Sequence, residues 1–326
     1  MKVTESAQIH RDRLFFEELA CLEYRVVFRI NNQCNFTCEY CNQRKNSPAA
    51  DTPDVGTYSP QHIAKCFDGT GRTWAIALTG GETFLYPRFT ELAQALTERH
   101  CIGVFTNLST RNVYEFADLI PPERVLFIRA ACHMVEREKR PDGVRDYVEK
   151  ILHFQSRGFN IRVVYVLYPS LLSRVARDID YFRSHGVRNI ILQTFAGECG
   201  GKRYPESYTS EQKSLIDGVA LGKCEVEWEV LTTDTFGRLC SAGQKSFRMA
   251  PDGSLTRCVS VPKAHGNLLT GEYHFDKSPM PCPVNKCFCL LGDLDNREPS
   301  AFWVLKTKMP RVARFLDAVA SKCRIG

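Results

Sequence analysis

Three closely spaced cysteines are the residues in this chain best placed to do chemistry. Cys34, Cys38 and Cys41 follow directly after the apolar run Tyr24–Ile30. Three thiolates can hold three corners of a cubic [4Fe–4S] cluster and leave the fourth iron open to a ligand. Three cysteines also suit zinc with a fourth ligand elsewhere, although zinc sites favour pairs separated by two residues. An open iron would indicate a reactive site rather than a structural clip.

A second run, Thr79-Gly80-Gly81-Glu82, follows the apolar segment Thr73–Leu78. Glycines let the backbone approach a ligand closely, and a carboxylate can accept hydrogen bonds from an ammonium group. Taken alone, the run is more often a simple turn between a strand and a helix. Because both runs follow predicted strands, we expect them on the same rim of a sheet.

Together the two runs resemble the signature loops of the radical S-adenosylmethionine (radical SAM) superfamily. The resemblance implies a [4Fe–4S] cluster on Cys34, Cys38 and Cys41, with the amino and carboxyl groups of S-adenosylmethionine on its open iron. It implies reductive cleavage of this cofactor to a 5′-deoxyadenosyl radical, which removes a hydrogen atom from the substrate. An electron donor such as flavodoxin or ferredoxin is also implied. The proline usual after the glutamate is Thr83 here.

The resemblance also implies cofactor contacts at several strand ends. It places Tyr40 against the adenine, the glycine run at the methionine amino group, and polar side chains of the third strand against the ribose or carboxylate. A Thr-Asn pair at a strand end is also ordinary turn chemistry. The expected cofactor-binding residues are Tyr40, Thr79, Gly80, Gly81, Glu82, Thr106, Asn107 and Gln193.

Three further residues are candidate catalytic groups. His133 follows the predicted strand that contains Arg129, and it could contact substrate or act as an acid or base. Cys132 and Cys199 lie at or just beyond strand ends, where a thiol could return a hydrogen atom to a substrate radical. The alternatives are a hydrogen-bonded structural histidine and buried inert thiols.

The elements that must position these residues alternate between strand and helix from about residue 24 to 222. The predicted strands are Tyr24–Ile30, Thr73–Leu78, Cys101–Thr106, Val125–Ala131, Ile161–Leu167 and Asn189–Thr194. Most are short runs rich in Val, Ile and Phe, as buried parallel strands are. Helical periodicity separates them, for example over Phe89–Leu96 and Leu172–Phe182. The pattern predicts an α/β fold, a partial (β/α)6 TIM-like barrel.

The alternation of strand and helix stops in residues 223–326, which contain several cysteines. A β-hairpin is predicted around Pro251-Asp252-Gly253, and a closing helix over Arg311–Ala320. The region resembles the auxiliary-cluster domains of radical SAM enzymes, called SPASM with two clusters and twitch with one, and so implies an auxiliary [4Fe–4S] cluster. A zinc ribbon is the alternative. The candidate ligands are Cys240, Cys258, Cys287 and Cys289, with Cys282 as an additional candidate.

The predicted organisation is a leader segment at 1–22, a radical SAM core at 23–222 and a smaller, cysteine-rich SPASM/twitch-like domain at 223–326. The sequence has no apolar stretch of membrane-spanning length and no signal-peptide core. Both observations predict a cytoplasmic protein with no membrane partner. Thiols stay reduced in that compartment, so the 15 cysteines indicate metal sites rather than disulfides. The net charge of +6, without a lysine-rich block, predicts no nucleic-acid partner.

Two substrate classes stay open. One is a small polar metabolite, such as a sugar, nucleotide or aminoglycoside-like intermediate, undergoing dehydrogenation, epimerisation or rearrangement. The other is a short, ribosomally made peptide undergoing crosslinking or epimerisation. The short segment before the first strand favours the small molecule, because it leaves little room for an N-terminal peptide-recognition domain. A non-catalytic zinc scaffold is an alternative of another class, and the intact cysteine loop with Glu82 argues against it.

Overall fold

The computed structural model describes residues 22–41, 58–220, 226–229 and 233–287. Parallel strands paired in chain order form a partial barrel. They are β1 Tyr24–Arg29, β2 Trp74–Thr79, β3 Cys101–Thr106, β4 Val125–Ala131, β5 Ile161–Leu167 and β6 Ile190–Thr194. The predicted strands are confirmed to within one residue at each end, because buried parallel strands are apolar on both faces.

Helices cover the outer face of this sheet. They are α1 Pro60–Asp68, α2 Phe89–Thr97, α3 Val113–Leu119, α4 Met134–Glu138, α5 Gly143–Ser156, α6 Val175–Ser184 and α7 Ser210–Ala220. Short 3₁₀ turns occupy Thr83–Leu85, Pro122–Arg124 and Pro169–Arg174, so Leu172 precedes α6 instead of lying in it. No helix in the described ranges has the length and apolar character needed to span a bilayer.

Side-chain alternation separates an outer from an inner face of the barrel. On β1, Phe28 packs with the helices in the main core, whereas Val27 packs with Ala77 and Phe127 in a small inner cluster. Because strand side chains alternate, Arg29 lies on the same inner face as Val27. The outer face therefore holds the barrel together, and the inner face is available for other groups.

Within the described residues, five of the later strands extend the same sheet, and the other six pair into three two-stranded sheets. The later strands are β7 Gly197–Cys199, β8 Lys202–Tyr204, β9 Val226–Glu229, β10 Thr233–Asp234, β11 Leu239–Cys240, β12 Ser246–Met249, β13 Ser254–Thr256, β14 Ala264–Asn267, β15 Glu272–Tyr273, β16 Met280–Pro281 and β17 Lys286–Cys287. β9 pairs in parallel with β6, and β12 pairs in parallel with β1. The predicted hairpin is confirmed as β12 and β13, with Gly253 in the left-handed region at φ +88. One 11-stranded sheet thus joins the barrel to the cysteine-rich region.

Some predictions lie outside the described residues. These are the leader segment up to residue 21, the ligand candidate Cys289 and the closing helix Arg311–Ala320. Cys287 is described only as part of β17.

Candidate functional site

A cavity of 280 Å³ lies at the carboxyl ends of the barrel strands. Loops after parallel strands meet at this edge, where folds of this type place their chemistry. Arg129 also lies on its wall. The predicted site residues on the wall are Cys34, Cys38, Tyr40, Cys41, Thr79, Gly80, Gly81, Thr106, Asn107, His133 and Gln193.

The cysteine loop turns its three sulfur-bearing residues toward this one cavity. The Phe36 N–H donates to the Cys34 sulfur at 3.4 Å, and the Asn107 amide donates to it at 3.9 Å. Burial raises the pKa of Cys34 and raises that of Cys38 to about 12, so both are protonated thiols at neutral pH. Within the described residues, no three His, Cys, Asp or Glu side chains are placed so that they could hold a single metal ion.

The donor set nevertheless fits an iron–sulfur cluster better than it fits a hard cation. Three soft sulfur ligands share one cavity wall, and an N–H group already points at one sulfur, as outer hydrogen bonds to cluster ligands do. A bound metal would displace the thiol protons, so its affinity would depend on pH.

Gly80 and Gly81 lie directly against the backbone that leads into the cysteine loop. A Cβ at Gly81 would lie 2.0 Å from the Gln33 carbonyl oxygen, and one at Gly80 would lie 2.4 Å from Asn31 Oδ1. Asn31 Oδ1 accepts from the Gly81 N–H at 3.1 Å, and the Glu82 N–H donates to the Gln33 carbonyl at 2.6 Å. The sequence predicted that the glycines admit a ligand, whereas the structure shows that they first admit the backbone of the cysteine loop.

Glu82 differs from its predicted role. Its side chain is fully buried and does not lie on the cavity wall. Its carboxylate accepts from the Thr106 hydroxyl at 2.6 Å, the Asn107 N–H at 2.6 Å and the Phe84 N–H at 3.0 Å. Burial raises its pKa, against these hydrogen bonds. The expectation that this carboxylate meets an ammonium group is corrected, because its acceptor positions are used to tie β2 to the end of β3.

His133 is the candidate catalytic group that the structure brings to the cavity. Its Nδ1 lies 3.0 Å from the Tyr40 hydroxyl, and its ring meets Phe36 edge-on. Burial, and then the charge of Arg137, lowers the pKa of His133 to about 4. Burial raises the pKa of Tyr40. At neutral pH both groups are therefore uncharged, and the Tyr40 hydroxyl and Nδ1 share one neutral hydrogen bond.

His133 also has an uncommon backbone. Its φ of +43 is in the left-handed region, which a residue with a β-carbon rarely adopts. The turn lets its carbonyl accept from the N–H groups of Glu136 and Arg137 at the start of α4. The ring is therefore held by the tertiary structure on the wall of the cavity.

Two supporting residues had no signal in the sequence reasoning. Asn31 is buried and bonds both Gly81 and the Glu82 carbonyl through its side-chain amide. Arg137 is 2% exposed, donates to the carbonyls of Cys132 and Asn107, and lies 3.6 Å above the Tyr147 ring. Arg137 thus fixes the loops after β3 and β4 to each other, which only the tertiary structure could reveal.

The two candidate catalytic thiols do not lie on the cavity wall. Cys132 is 3% exposed in the main core, because it alternates with the inward-facing Ala131. Burial raises its pKa to about 12. Cys199 lies on β7 beside the Tyr168 hydroxyl. The prediction of a hydrogen-returning thiol is therefore corrected for Cys132, and Cys199 is left at the edge of the site.

Comparison with known proteins adds to this geometry. No protein-family model matches the chain. A curated GTP 3′,8-cyclase of Haemophilus influenzae strain PittGG is 35% identical over 95 residues, which is 29% of this chain and 27% of that protein. The chain therefore matches only about a quarter of the length of this relative.

Solved structures match over most of the chain. Streptococcus suis SuiB bound to S-adenosylmethionine has a TM-score of 0.56 at 12% identity, covering 77% of this chain and 64% of SuiB. Native anSMEcpe with bound AdoMet and the Kp18Cys peptide has a TM-score of 0.55 at 15% identity, covering 76% and 78%. Both are radical SAM enzymes. This chain has the radical SAM fold. The fold class predicted from the sequence is thereby confirmed.

A second group of cysteines lies outside the barrel of this radical SAM fold. Cys240 and Cys282 are buried and form a small apolar cluster with Ala242, against which Cys258 and Val284 pack. The Cys282 thiol donates to the Thr235 hydroxyl at 3.5 Å. The structure thus brings the additional candidate Cys282 together with Cys240 and Cys258.

Proposed function

We propose that this chain reductively cleaves S-adenosylmethionine at a [4Fe–4S] cluster and abstracts a hydrogen atom from a small polar substrate. The single observation that carries the proposal is the placement of Cys34, Cys38 and Cys41 on one cavity wall at the carboxyl ends of a radical SAM barrel. When bound, the cluster and S-adenosylmethionine supply the electron transfer and the radical that this reaction needs.

The chain's own residues would bind the cluster and the cofactor, orient them and shield them from water. The three thiolates hold the cluster, and the Phe36 N–H and Asn107 amide stabilise charge on the Cys34 sulfur. The backbone of Thr79, Gly80 and Gly81 faces the same cavity and can bind the cofactor's amino group through its carbonyls. Glu82 acts as a positioning residue that fixes this run against Thr106 and Asn107.

His133 would serve as a neutral hydrogen-bond donor. With the Tyr40 hydroxyl donating to Nδ1, an Nε2–H group would be available on the cavity wall. Aromatic side chains line the remaining wall and exclude water from a reactive radical. They are Phe36, Phe105 and Phe195.

The small-molecule substrate is supported by the 95-residue match to a GTP 3′,8-cyclase, whose name states a reaction on a nucleotide. Dehydrogenation, epimerisation and rearrangement are the reaction types that fit. A peptide substrate is the second candidate. It is supported by SuiB bound to its precursor peptide SuiA, which matches with a TM-score of 0.55 at 12% identity, and by the Kp18Cys peptide of anSMEcpe.

We further propose that Cys240, Cys258 and Cys282, with Cys287 or Cys289, hold one auxiliary [4Fe–4S] cluster in a twitch-like domain. The clustering of the first three supports this, and four thiolates complete such a site. A fully ligated cluster binds no substrate, so its role would be to accept or relay an electron. A flavodoxin or ferredoxin would supply electrons to the first cluster.

The test is iron and sulfide content with electron paramagnetic resonance on protein purified without oxygen. We expect about eight irons, a spectrum perturbed by S-adenosylmethionine, and release of 5′-deoxyadenosine after reduction. Cys38→Ala should abolish that release, whereas the control Cys66→Ala, on α1, should not change it. Zinc in place of iron after anaerobic reconstitution, together with no 5′-deoxyadenosine, would overturn the proposal.

A further inference from the structure

The inner face of the barrel carries arginines on several strands. Arg29 on β1 faces inward because its neighbour Phe28 packs in the outer core, and Arg248 on β12 does so between Phe247 and Met249. The same alternation turns two further arginines inward. They are Arg129 on β4 and Arg162 on β5.

These arginines are withdrawn from solvent. Arg29 is 9% exposed and Arg129 is 4% exposed, while Arg248 is half-buried. Arg248 of β12 is in register with Val27 of β1, which is two residues before Arg29 on the same strand. Arg29 is in register with Thr79 of β2, and Thr79 forms part of the cavity wall. Neighbouring strands lie about 4.8 Å apart, so the Arg29–Arg248 pair adjoins the cavity.

Acidic residues are placed unevenly around this face. Among the inward positions described on β1 to β6 and β12, none is Asp or Glu. Glu227 and Glu229 belong to β9, in register with Ile191 and Gln193 of β6. They lie at the opposite edge of the barrel from β1 and β12, on the side of Arg129 and Arg162. The described inward positions of β1 and β12 therefore carry arginines and no acidic residue.

Arg29 and Arg248 have no acidic partner in the described part of the chain. Neither guanidinium makes an ion pair or hydrogen bond there, and Arg29 Nε is a buried donor without an acceptor. Burial, and then the charge of Arg248, lowers the pKa of Arg29, and burial lowers the pKa of Arg248. Unpaired buried charges destabilise a fold, so such a pair is explained best by a ligand that carries the opposite charge.

We propose that Arg29 and Arg248 form a subsite for a doubly charged oxyanion, a phosphate group on the substrate. The proposal rests on the proposed function, since the subsite would hold the substrate's charged end beside the reactive cavity. A guanidinium group fits two oxygens of a phosphate at once, and two such groups balance a dianion. Arg129 lies on the cavity wall, on the β4 side of the barrel.

The experiment measures anion binding to the full reconstituted chain without S-adenosylmethionine. Inorganic phosphate and pyrophosphate are titrated by calorimetry and by thermal unfolding, with succinate as a dicarboxylate of similar charge. We expect phosphate or pyrophosphate to raise the Tm of the natural chain. Arg29→Met and Arg248→Met should weaken this binding by about tenfold or more, because each removes a bidentate contact. The control is Arg145→Met, an exposed arginine on α5 near Glu149.

Stability without anion provides an independent readout. Because each variant removes an unpaired buried charge, its Tm without phosphate should equal or exceed that of the natural chain. A lower Tm, or failure of Arg29→Met and the half-buried Arg248→Gln to fold, would show a structural partner and overturn the proposal. Equal phosphate binding by all variants would overturn it too, and a larger effect of succinate would reassign the subsite to carboxylates.

This test separates the subsite from the proposed reaction. Phosphate binding that depends on Arg29 and Arg248, in a protein that releases no 5′-deoxyadenosine, would leave the subsite and remove the reaction. Release of 5′-deoxyadenosine without arginine-dependent phosphate binding would keep the reaction and remove the subsite.

Discussion

The molecule has two groups of cysteines in different surroundings. Cys34, Cys38 and Cys41 lie on a loop after β1 and border a cavity that contains polar side chains and backbone. Cys240 and Cys282 are enclosed by Ala242 and Val284, with Cys258 packed against them. The first surroundings are an open cavity, and the second are a small buried apolar cluster.

This difference is a chemical one. A metal centre that reacts must keep an open position, whereas a centre that only transfers electrons or stabilises a fold can be fully ligated. Cys34 receives an N–H and an amide beside an open space, whereas Cys282 bonds a threonine hydroxyl within the protein. Under the proposed function, the same residue type would therefore serve two purposes, according to what surrounds it.

Removing one cysteine from each group in turn should produce the largest effect. Cys41→Ala should abolish 5′-deoxyadenosine release and remove about four irons, because a cluster lacking one of three ligands is not retained. Cys282→Ala should also lose iron, but the spectrum of the remaining cluster should still respond to S-adenosylmethionine. The comparison fails if both variants lose that response, and Cys66→Ala serves as the control in each assay.

Adding one methyl group beneath the cysteine loop should have the next largest effect. Gly81→Ala places a Cβ 2.0 Å from the Gln33 carbonyl, which should cost about 3 kcal/mol of unfolding free energy and displace the loop. The matched control is Gly218→Ala on α7, where a Cβ meets nothing within 4 Å. Chemical denaturation and iron content report the two consequences. Unchanged stability in Gly81→Ala would contradict the tight packing of the loop.

Neutralising the buried carboxylate should have a moderate effect. Glu82→Gln replaces one acceptor by a donor facing an N–H group, which should cost about 1 to 3 kcal/mol of stability. Glu91→Gln, which loses only an exposed pair with Arg88, is the control and should change stability little. A variant with natural stability but weakened S-adenosylmethionine binding would instead restore the direct contact to an ammonium group.

The smallest effect concerns acid sensitivity of the barrel that carries the first cysteine group. Burial lowers the pKa of His100 to about 4, from the 6.5 of an exposed histidine. The unfolded chain therefore binds this proton first, so stability falls as the pH drops from 6.5 toward 4. At pH 5.5 the loss should be about 1.4 kcal/mol, and His100→Asn should remove it. Denaturation at pH 7.5 and 5.5 measures both, and an equal loss in the variant would exclude His100.

Much of the fold could be predicted because its signals are local. Buried parallel strands such as Ile161–Leu167 are apolar runs that need no partner to be recognised. The cysteine loop could be predicted equally well, because the spacing of its cysteines and its place after β1 are properties of one short segment. The hairpin of β12 and β13 followed from Gly253 and the turn residues before it.

What could not be predicted depends on residues distant in sequence. Glu82 was expected to accept hydrogen bonds from an ammonium group, and only the loop at Thr106 and Asn107 shows that its oxygens are occupied. Cys132 looked like a rim thiol, but the alternation of β4 turns it into the core. The placement of Arg29 and Arg248 on one face of the sheet depends on the parallel pairing of β1 with β12, which no local pattern shows.

That pairing also constrains how the protein is made. Arg25 is in register with Ser246, which the ribosome adds about 220 residues later. Until then one edge of β1 has no neighbour, and unpaired strand edges are templates for aggregation. At the usual pace of synthesis this interval lasts roughly 10 to 40 s. The strand that leads into the cysteine loop is thus among the last to be closed on both sides, so chaperone protection during synthesis should matter most for β1.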